Sequence, residues 1–248
     1  MVTGPLEGKT ALVTGGSRGV GAGIVARLAA DGARVAFTYA NSKERAQDVA
    51  DAVAATGGVA HAIRADSLAE EDVVSAVAYT VDRFGGLDIL VNNAGVGSFT
   101  EITDMTMAQI DAMLTVNVRS AIVAIRESLA HLGEGGRIIN IGSINADRMP
   151  FPGGSIYAMT KGALSSLTRG LARELAPRGI TINNVQPGPV DTDANPADGP
   201  AASAMLGVMA VDRFGTAAEV GAFVSFLAGP EAAYITGASL NIDGGFGG

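Results

Sequence analysis

The fold of this 248-residue chain is decided by one stretch near its start, Thr10-Ala11-Leu12-Val13-Thr14-Gly15-Gly16-Ser17-Arg18-Gly19-Val20-Gly21. Its first five residues predict a strand, and the run Ala22–Ala30 that follows predicts a helix. The glycines between them permit a tight turn and let the backbone approach a phosphate, while the start of the helix offers unpaired N–H groups. The spacing is not a literal G-x-G-x-x-G, and no lysine follows as in a P-loop, so a plain strand-to-helix connection remains the alternative.

Strand-like apolar runs alternate with longer helical stretches along the whole chain, which is typical of a parallel sheet covered by helices on both faces. The predicted strands are Thr10–Thr14, Arg34–Thr38, Val59–Arg64, Asp88–Val91, Arg137–Ile141, Thr181–Val185 and Ser239–Ile242. The predicted helices cover residues 19–31, 42–56, 68–84, 106–132, 155–177 and 216–228. Capping-box spacing supports three of the helix starts: Ser67 with Glu70, Thr106 with Gln109, and Thr216 with Glu219.

One irregular segment, residues 186–215, follows the sixth predicted strand and is rich in Pro, Gly, Asp and Ala. It carries a short helical candidate at residues 201–209. A segment in that position lies at the carboxyl edge of the sheet, where open α/β folds bind ligands. We therefore predict that residues 186–215 form a lid over a substrate site, and we call them the predicted lid segment.

Composition narrows the class of protein. With 48% apolar residues, the chain can bury one core, which predicts a single domain over residues 1–248. A net charge of −8 without a cluster of Lys and Arg argues against a nucleic acid or an anionic membrane as partner. The chain has no cysteine, which excludes thiolate sites, and no pattern indicates a catalytic metal. Because we find neither a targeting segment nor an apolar run of ~18 residues, we expect a cytoplasmic protein.

Tyr157 and Lys161 lie four residues apart in a predicted helix, so both side chains project from one face. An ammonium beside a phenol favours the phenolate, which predicts that Lys161 lowers the pKa of Tyr157 toward the range of a useful general acid. The same spacing also arises in amphipathic helices from a half-buried ring and a solvated amine. The pair indicates an oxidoreductase only if the rest of the chain binds a hydride donor.

Several motifs agree in order and spacing along the chain: T-G-x-x-x-G-x-G at residues 14–21, Asn92-Asn93-Ala94-Gly95, Ser143, Y-x-x-x-K at residues 157–161, and Pro187-Gly188. Together they resemble the short-chain dehydrogenase/reductase family over essentially the whole chain. The resemblance implies a single-domain Rossmann fold. Its doubly wound parallel sheet would have seven strands in the order 3-2-1-4-5-6-7, with helices on both faces and a nicotinamide cofactor across the carboxyl edge.

The resemblance also implies which residues hold that cofactor: Gly15, Ser17, Arg18, Gly19, Val20, Gly21, Tyr39, Ala40, Asn41, Ser42, Asp66, Ser67, Asn93, Ala94, Gly95, Tyr157, Lys161, Pro187, Gly188, Val190 and Thr192. By the family pattern, Asp66 would meet the adenine and Thr192 the carboxamide. Residues 37–43 contain no acid to accept a ribose 2′-hydroxyl, which favours a 2′-phosphate and therefore NADPH. Arg18 would reach that phosphate, with Asn41 and Ser42 as further donors.

By the same resemblance, four residues form the catalytic group: Asn117, Ser143, Tyr157 and Lys161. Tyr157 would exchange a proton with the alkoxide in a reversible hydride transfer, and Ser143 would hold the substrate oxygen. Lys161 would bind the nicotinamide ribose, and Asn117 would anchor a water in a proton relay. The expected activity is the NADPH-dependent reduction of a ketone to a secondary alcohol.

The predicted substrate pocket is lined by Ser143, Asn145, Met149, Phe151, Met205 and Met209, together with the loop Val96–Phe99. This mostly apolar lining fits a medium-sized ketone as the substrate. A 3-oxoacyl-carrier-protein reductase is an alternative, although Glu134 lies where an enzyme of that kind would show basic residues. Residues 144–150 and 185–196 resemble a biofilm-dispersal branch of the family discussed as binding cyclic di-GMP, a second alternative in which Arg148 is the extra cation. The family pattern also suggests a homotetramer.

Overall fold

Seven strands form one sheet in the computed structural model, which describes residues 4–248. They are β1 Thr10–Val13, β2 Arg34–Tyr39, β3 Val59–Arg64, β4 Ile89–Asn92, β5 Arg137–Ile141, β6 Thr181–Pro187 and β7 Ser239–Ile242. All pairs are parallel, in the order β3-β2-β1-β4-β5-β6-β7, which confirms the predicted Rossmann topology. Residues 1–3 of the predicted single domain lie outside the described residues.

The helices are α1 Gly19–Ala30, α2 Lys43–Ala55, α3 Glu70–Phe84, α4 Met107–Leu114, α5 Ser120–Ser128, α6 Ser155–Leu175, α7 Ala202–Leu206 and α8 Ala217–Ala228. The long helix predicted over residues 106–132 is wrong in detail, because α4 passes through a π-helical turn, Thr115–Arg119, into α5. Strand β6 runs two residues further than predicted, since Gln186 and Pro187 still pair with β7. Within the predicted lid segment, α7 is shorter than the predicted helix.

Two of the three predicted capping boxes form. Thr106 accepts a hydrogen bond from the Gln109 N–H at the start of α4, and Thr216 does the same from Glu219 at the start of α8. The Ser67 box is wrong, because the N-cap of α3 is Ala69, two residues after Ser67. Local side-chain chemistry therefore sets two of these helix starts.

The core lies on both faces of the sheet, because side chains alternate along each buried strand. In β1, Ala11 and Val13 join the cluster with α1 and α8, whereas Leu12 joins the cluster with α3 and α5. Helices α1 and α8 cross at a glycine contact: a Cβ on Gly23 would lie 2.4 Å from the Ala217 carbonyl oxygen, and one on Gly221 would lie 2.5 Å from that of Gly23. This contact fixes α1, whose first turn faces the site, against the helix that follows the predicted lid segment.

The predicted lid segment leaves the sheet through a narrow neck. Val190 and Gly215 form an isolated parallel bridge, with the Asp191 N–H donating to Gly215 O at 2.9 Å and the Gly215 N–H donating to Pro189 O at 2.9 Å. Two backbone hydrogen bonds therefore bring the two ends of the segment together beside β6.

One helical stretch, Met107–Ser128, is long and apolar enough to span a membrane by length and composition, with a mean hydropathy of 1.2. This differs from the sequence expectation that no such run exists. About 44% of that window is buried inside the protein, and α5 packs on α3 and β4. A core helix that covers a sheet meets the same criteria.

Candidate active site

A cleft of about 780 Å³ opens at the carboxyl edge of the sheet. Every residue predicted to hold the cofactor lines it, as do Ser143, Tyr157 and Lys161 from the predicted catalytic group. The cleft runs from the first strand-to-helix turn, which we call the cofactor end, to the loops around Phe99, Met205 and Phe246, which we call the substrate end. The structure therefore brings the sequence motifs to one place.

The glycine-rich turn at the cofactor end is fixed by backbone geometry. Gly15 and Gly19 have φ values of 67° and 52°, in the left-handed region that favours glycine. A Cβ on Gly21 would lie 2.2 Å from the Gly15 carbonyl oxygen and 2.5 Å from Asn93 Nδ2, so no larger residue fits. Within residues 4–248, no side chain caps the N–H groups at the start of α1. A free helix N-terminus beside a glycine turn is suited to an anion such as a pyrophosphate.

Asn93 and Thr14 connect this turn to the loop after β4. Asn93 Nδ2 donates to the carbonyl oxygens of Thr14 and Gly15 at 3.0 and 2.8 Å. In return, Thr14 Oγ1 accepts the N–H groups of Asn93 and Ala94, both at 3.0 Å. The Asn-Ala-Gly motif therefore fixes the glycine-rich turn relative to the loop after β4, and these two segments form two walls of the cleft.

Beyond β2, the cleft is lined by polar groups that carry no negative charge. Arg18 is exposed there, near Asn41 and Ser42. Arg45 of α2 forms an ion pair with Asp193 of the predicted lid segment, a contact that no sequence pattern indicated. This arrangement fits the phosphate of a phosphorylated ribose better than a free 2′-hydroxyl.

Asp66 lines the cleft after β3. Its Oδ1 accepts the N–H of Leu68 at 3.0 Å, and its own N–H donates to Asp72 Oδ2 at 2.8 Å. The carboxylate therefore shapes the turn before α3.

Tyr157 lies in the first turn of α6, with its side chain at the centre of the cleft. Burial raises the pKa of the Tyr157 phenol, and an interaction with the Ser143 hydroxyl partly opposes that rise. This is opposite to the direction that the sequence predicted. The physical reason is that desolvation of the phenolate outweighs the favourable contacts on its oxygen.

Lys161 is fully buried one turn further along α6. Desolvation lowers the pKa of its amine to about 8, and Nζ donates a hydrogen bond to the Ile141 carbonyl oxygen at 2.9 Å. Its Nζ lies 5.8 Å from the centroid of the Tyr157 ring. The cation therefore lies under the ring at the end of β5 and does not bond the phenol directly.

Ser143 follows β5 and precedes a short 3-10 turn, Ile144–Ala146. Its Oγ accepts the Asn145 N–H at 3.1 Å, which fixes the hydroxyl at the end of the strand. The side chain is buried yet lines the cleft beside Tyr157. A substrate oxygen placed there would meet two hydroxyl groups.

Asn117 lies in the π-helical turn behind the cleft and is 1% exposed. Its Oδ1 accepts the Val96 N–H and its Nδ2 donates to Val96 O, both at 2.8 Å, while Nδ2 also donates to Thr160 Oγ1 at 3.0 Å. The Thr160 hydroxyl in turn donates to the Tyr157 carbonyl oxygen at 2.7 Å. Asn117 therefore connects the loop after β4 to α6, the helix that carries Tyr157 and Lys161.

The predicted substrate residues divide into two groups. Asn145, Phe151 and Met205 line the cleft, whereas Met149 packs against Gly154 and Met209 against the chain near Gly244. Phe99 contacts Tyr157 at a ring-centroid distance of 5.9 Å. Phe246 also lines the cleft, and sequence reasoning missed it because an aromatic residue in a glycine-rich stretch carries no positional signal.

Comparison with known proteins gives the same assignment as the geometry. A family model described as enoyl-(acyl carrier protein) reductase matches residues 15–247. The chain is 54% identical to a short-chain dehydrogenase from Burkholderia cenocepacia, solved in complex with NADP, with a TM-score of 0.97 over 98% of this chain and 100% of that one. The chain belongs to the short-chain dehydrogenase/reductase family. As a member of that family, it is an oxidoreductase.

Two other relatives of this short-chain dehydrogenase/reductase carry names that refer to different activities. The cyclic-di-GMP-binding biofilm dispersal mediator protein of Escherichia coli is 49% identical, over 98% of this chain and 99% of that protein. Versicolorin reductase of Emericella nidulans is 36% identical, over 97% of this chain and 96% of that protein. Family membership therefore does not identify the ligand of the substrate end. The residues that line that end must decide it.

Proposed function

We propose that this chain is an NADPH-dependent oxidoreductase that reduces a ketone to a secondary alcohol, with Tyr157 as the general acid. The observation that carries the proposal is the buried Tyr157 phenol beside the Ser143 hydroxyl, at the point where the cofactor end of the cleft meets the substrate end. The NADP complex of the Burkholderia relative and the reductase named among the relatives support the cofactor and the direction.

The chemistry follows from the charge that the reaction creates. When bound, a reduced nicotinamide supplies the hydride, and the carbonyl oxygen becomes negative as the hydride arrives. Because burial raises the pKa of Tyr157, its phenol is protonated at neutral pH and can donate a proton to that oxygen. The Ser143 hydroxyl donates a hydrogen bond to the same oxygen, and Lys161 adds positive charge below the ring when it is protonated.

The preference for NADPH is supported by charge at the far wall of the cofactor end. Arg18 is exposed just before α1, and it lines the cofactor end together with Asn41 and Ser42 after β2. Together they offer a guanidinium, an amide and a hydroxyl to a 2′-phosphate. An NAD site would place a carboxylate at this position.

The substrate end favours a compact apolar ketone. Phe99 is 56% exposed and contacts the Tyr157 ring, and Phe151 and Met205 border the same space. For an acidic carrier protein we would expect a basic rim, whereas Glu134 lies in an exposed turn. We therefore favour a general ketone reductase over a 3-oxoacyl-carrier-protein reductase.

A second candidate function is the binding of cyclic di-GMP, the activity in the name of the Escherichia coli relative. A ligand with two phosphates needs arginines, and Arg148, which follows the 3-10 turn after Ser143, is the extra cation that the sequence offers beside the substrate end. Its Nη1 donates to the carbonyl oxygens of Phe246 and Gly248, so this arginine would have to leave its present partners.

The decisive experiment measures NADPH consumption with a panel of aliphatic, cyclic and aromatic ketones. We expect turnover by the wild type and a loss of roughly 10²–10⁴-fold in Tyr157→Phe, because that variant keeps the ring but has no proton to donate. Binding of NADPH to Tyr157→Phe, measured by fluorescence, is the control for an intact site. If the wild type turns over no ketone while calorimetry detects cyclic di-GMP, the second candidate replaces the first.

The homotetramer and the cytoplasmic location stay predictions. The family pattern assigns subunit contacts to two long helices and to the C-terminal segment near Asp243-Gly244-Gly245. Ile122 on α5 and Met159 on α6 are exposed apolar side chains, which supports an assembly. The ligand that binds at the substrate end is then a small ketone or alcohol.

A further inference from the structure

The segment after β7, residues 243–248, folds back over the substrate end, and we call it the tail. Asp243 turns it, since its carboxylate accepts the N–H groups of Gly245 at 3.0 Å and Gly247 at 2.8 Å. The Gly244 carbonyl oxygen accepts the N–H groups of Ala210 and Val211, both at 3.0 Å. The tail is therefore tied to the predicted lid segment through backbone hydrogen bonds.

Arg148 holds the tail from the other side. It lies shortly after the 3-10 turn that follows Ser143, and its Nη1 donates to the carbonyl oxygens of Phe246 and, at 2.8 Å, Gly248. Its guanidinium carbon lies 5.9 Å from the centroid of the Phe246 ring. One cation thus binds both the backbone and the aromatic face of the tail.

The consequence of these contacts is the position of Phe246. The ring is 2% exposed to solvent, yet it lines the cleft beside Ile144, Asn145 and Met205. The tail packs closely on the Ser143 segment, because a Cβ added to Gly247 would lie only 2.6 Å from Ile144 Cδ1. Phe246 is therefore a rigid boundary where the Ser143 segment, the predicted lid segment and the tail meet.

We propose that Phe246 is a specificity-determining residue that limits the size of the ketone, and that Arg148 is a positioning residue that holds Phe246 in the wall of the substrate end. The proposal rests on the proposed function of the same site. Arg148 bonds the backbone of the tail and lies over the face of the Phe246 ring, so the ring cannot yield to a larger substrate without breaking these contacts. Removing the ring, or the cation that fixes it, enlarges the space next to Ser143.

The first experiment compares a cyclohexanone with a bicyclic aromatic ketone such as a tetralone in Phe246→Ala and Phe246→Leu. We expect the kcat/KM ratio of the larger to the smaller ketone to rise roughly tenfold in Phe246→Ala, with an intermediate rise in Phe246→Leu. The KM for NADPH stays within twofold, because the Phe246 side chain lies at the substrate end of the cleft. The Leu variant preserves the test if the Ala variant does not fold. A ratio unchanged within twofold in the folded variants overturns the role of Phe246.

The second experiment tests the clamp without turnover. Amide hydrogen exchange over residues 244–248 should become at least tenfold faster in Arg148→Met, less so in Arg148→Lys, and remain unchanged in Arg169→Met, which removes an exposed arginine that donates to Ser166. The kcat/KM ratio of the larger to the smaller ketone should rise in Arg148→Met, as it does in Phe246→Ala. Unchanged exchange in Arg148→Met overturns the positioning role.

Failure of this inference is separable from failure of the proposed function. Dissociation constants of the two ketones in the presence of NADP+ are measured by calorimetry alongside the rates. Absence of turnover in the wild type counts against the reductase, while the ratio of dissociation constants in Phe246→Ala still decides whether the ring limits ligand size.

Discussion

The two ends of the cleft are shaped by different parts of the polypeptide. At the cofactor end the shape is set by backbone, since Gly15 and Gly19 have positive φ and Gly21 has no room for a Cβ. At the substrate end it is set by side chains, with Phe99 exposed and Phe246 buried in the wall. Backbone constraints restrict which residue type can occupy a position, whereas a side-chain wall can be built in many ways. The cofactor end should therefore be intolerant of small changes and the substrate end adjustable.

The two ends of the cleft should differ most in their response to one added methyl group. Gly21→Ala places a Cβ 2.2 Å from a backbone oxygen, so the turn must open, and we expect a loss of more than 100-fold in NADPH affinity and of about 1–3 kcal/mol in the free energy of unfolding. Gly207→Ala in the predicted lid segment meets no atom closer than 3.5 Å and has a φ of −63°. Its affinity and stability should match the wild type.

Fluorescence titration with NADPH and urea denaturation measure both effects. Equal tolerance of Ala at the two glycines would contradict the distinction between a backbone-built end and a side-chain-built end.

The next largest effect concerns the charge at the cofactor end. Arg18→Ala removes the guanidinium that lines the cofactor end together with Asn41, and we expect NADPH to bind about 10- to 100-fold more weakly while NADH binding changes less than threefold. Arg169→Ala, on an exposed turn of α6, is the matched control for loss of one positive charge. Parallel calorimetric titrations with both cofactors decide the matter: a similar loss for NADPH and NADH would remove Arg18 from phosphate recognition.

The smallest effect lies where the two ends meet, at Lys161. Burial lowers the pKa of this amine to about 8, whereas the unfolded chain keeps a pKa near ~10.4. Between those values the unfolded state binds more protons, so Lys161 makes the protein less stable below pH 8 and this cost disappears as the pH rises. We expect the wild type to gain about 1–2 kcal/mol relative to Lys161→Met between pH 7.5 and 9.5.

Urea denaturation of both proteins at several pH values gives the difference directly. A stability difference between wild type and Lys161→Met that is flat over this range would mean that the folded amine keeps its ordinary pKa.

The sequence was sufficient for the fold and for the cofactor end because both depend on local rules. Alternating apolar runs predicted a parallel sheet covered by helices, the family resemblance implied its strand order, and the glycines at 15, 19 and 21 predicted the turn. Thr106 and Thr216 marked their helix starts correctly because a cap acts within one turn. Ser67 failed as a cap because the following loop, shaped by Asp66, delays the start of α3.

The substrate end could not be predicted at the same level because it depends on contacts between distant segments. Nothing local joins Arg148 to the Phe246 carbonyl oxygen, and nothing local turns Met149 and Met209 away from the cleft. The direction of the Tyr157 pKa was also wrong, since the desolvation of a side chain is a property of the packed fold. Spacing identifies which residues are neighbours on a helix, but it does not give their distance from water.

The neck between Val190 and Gly215 has a consequence for how this enzyme family can diversify. Two backbone hydrogen bonds hold the ends of the intervening loop together, so the distance that the loop must span does not depend on its length. The entropy cost of a longer loop grows only slowly with length. Residues between 196 and 209, which end before the contacts of Ala210 and Val211 with the tail, can therefore be lengthened, shortened or exchanged as one unit, while the sheet and α6 remain as they are.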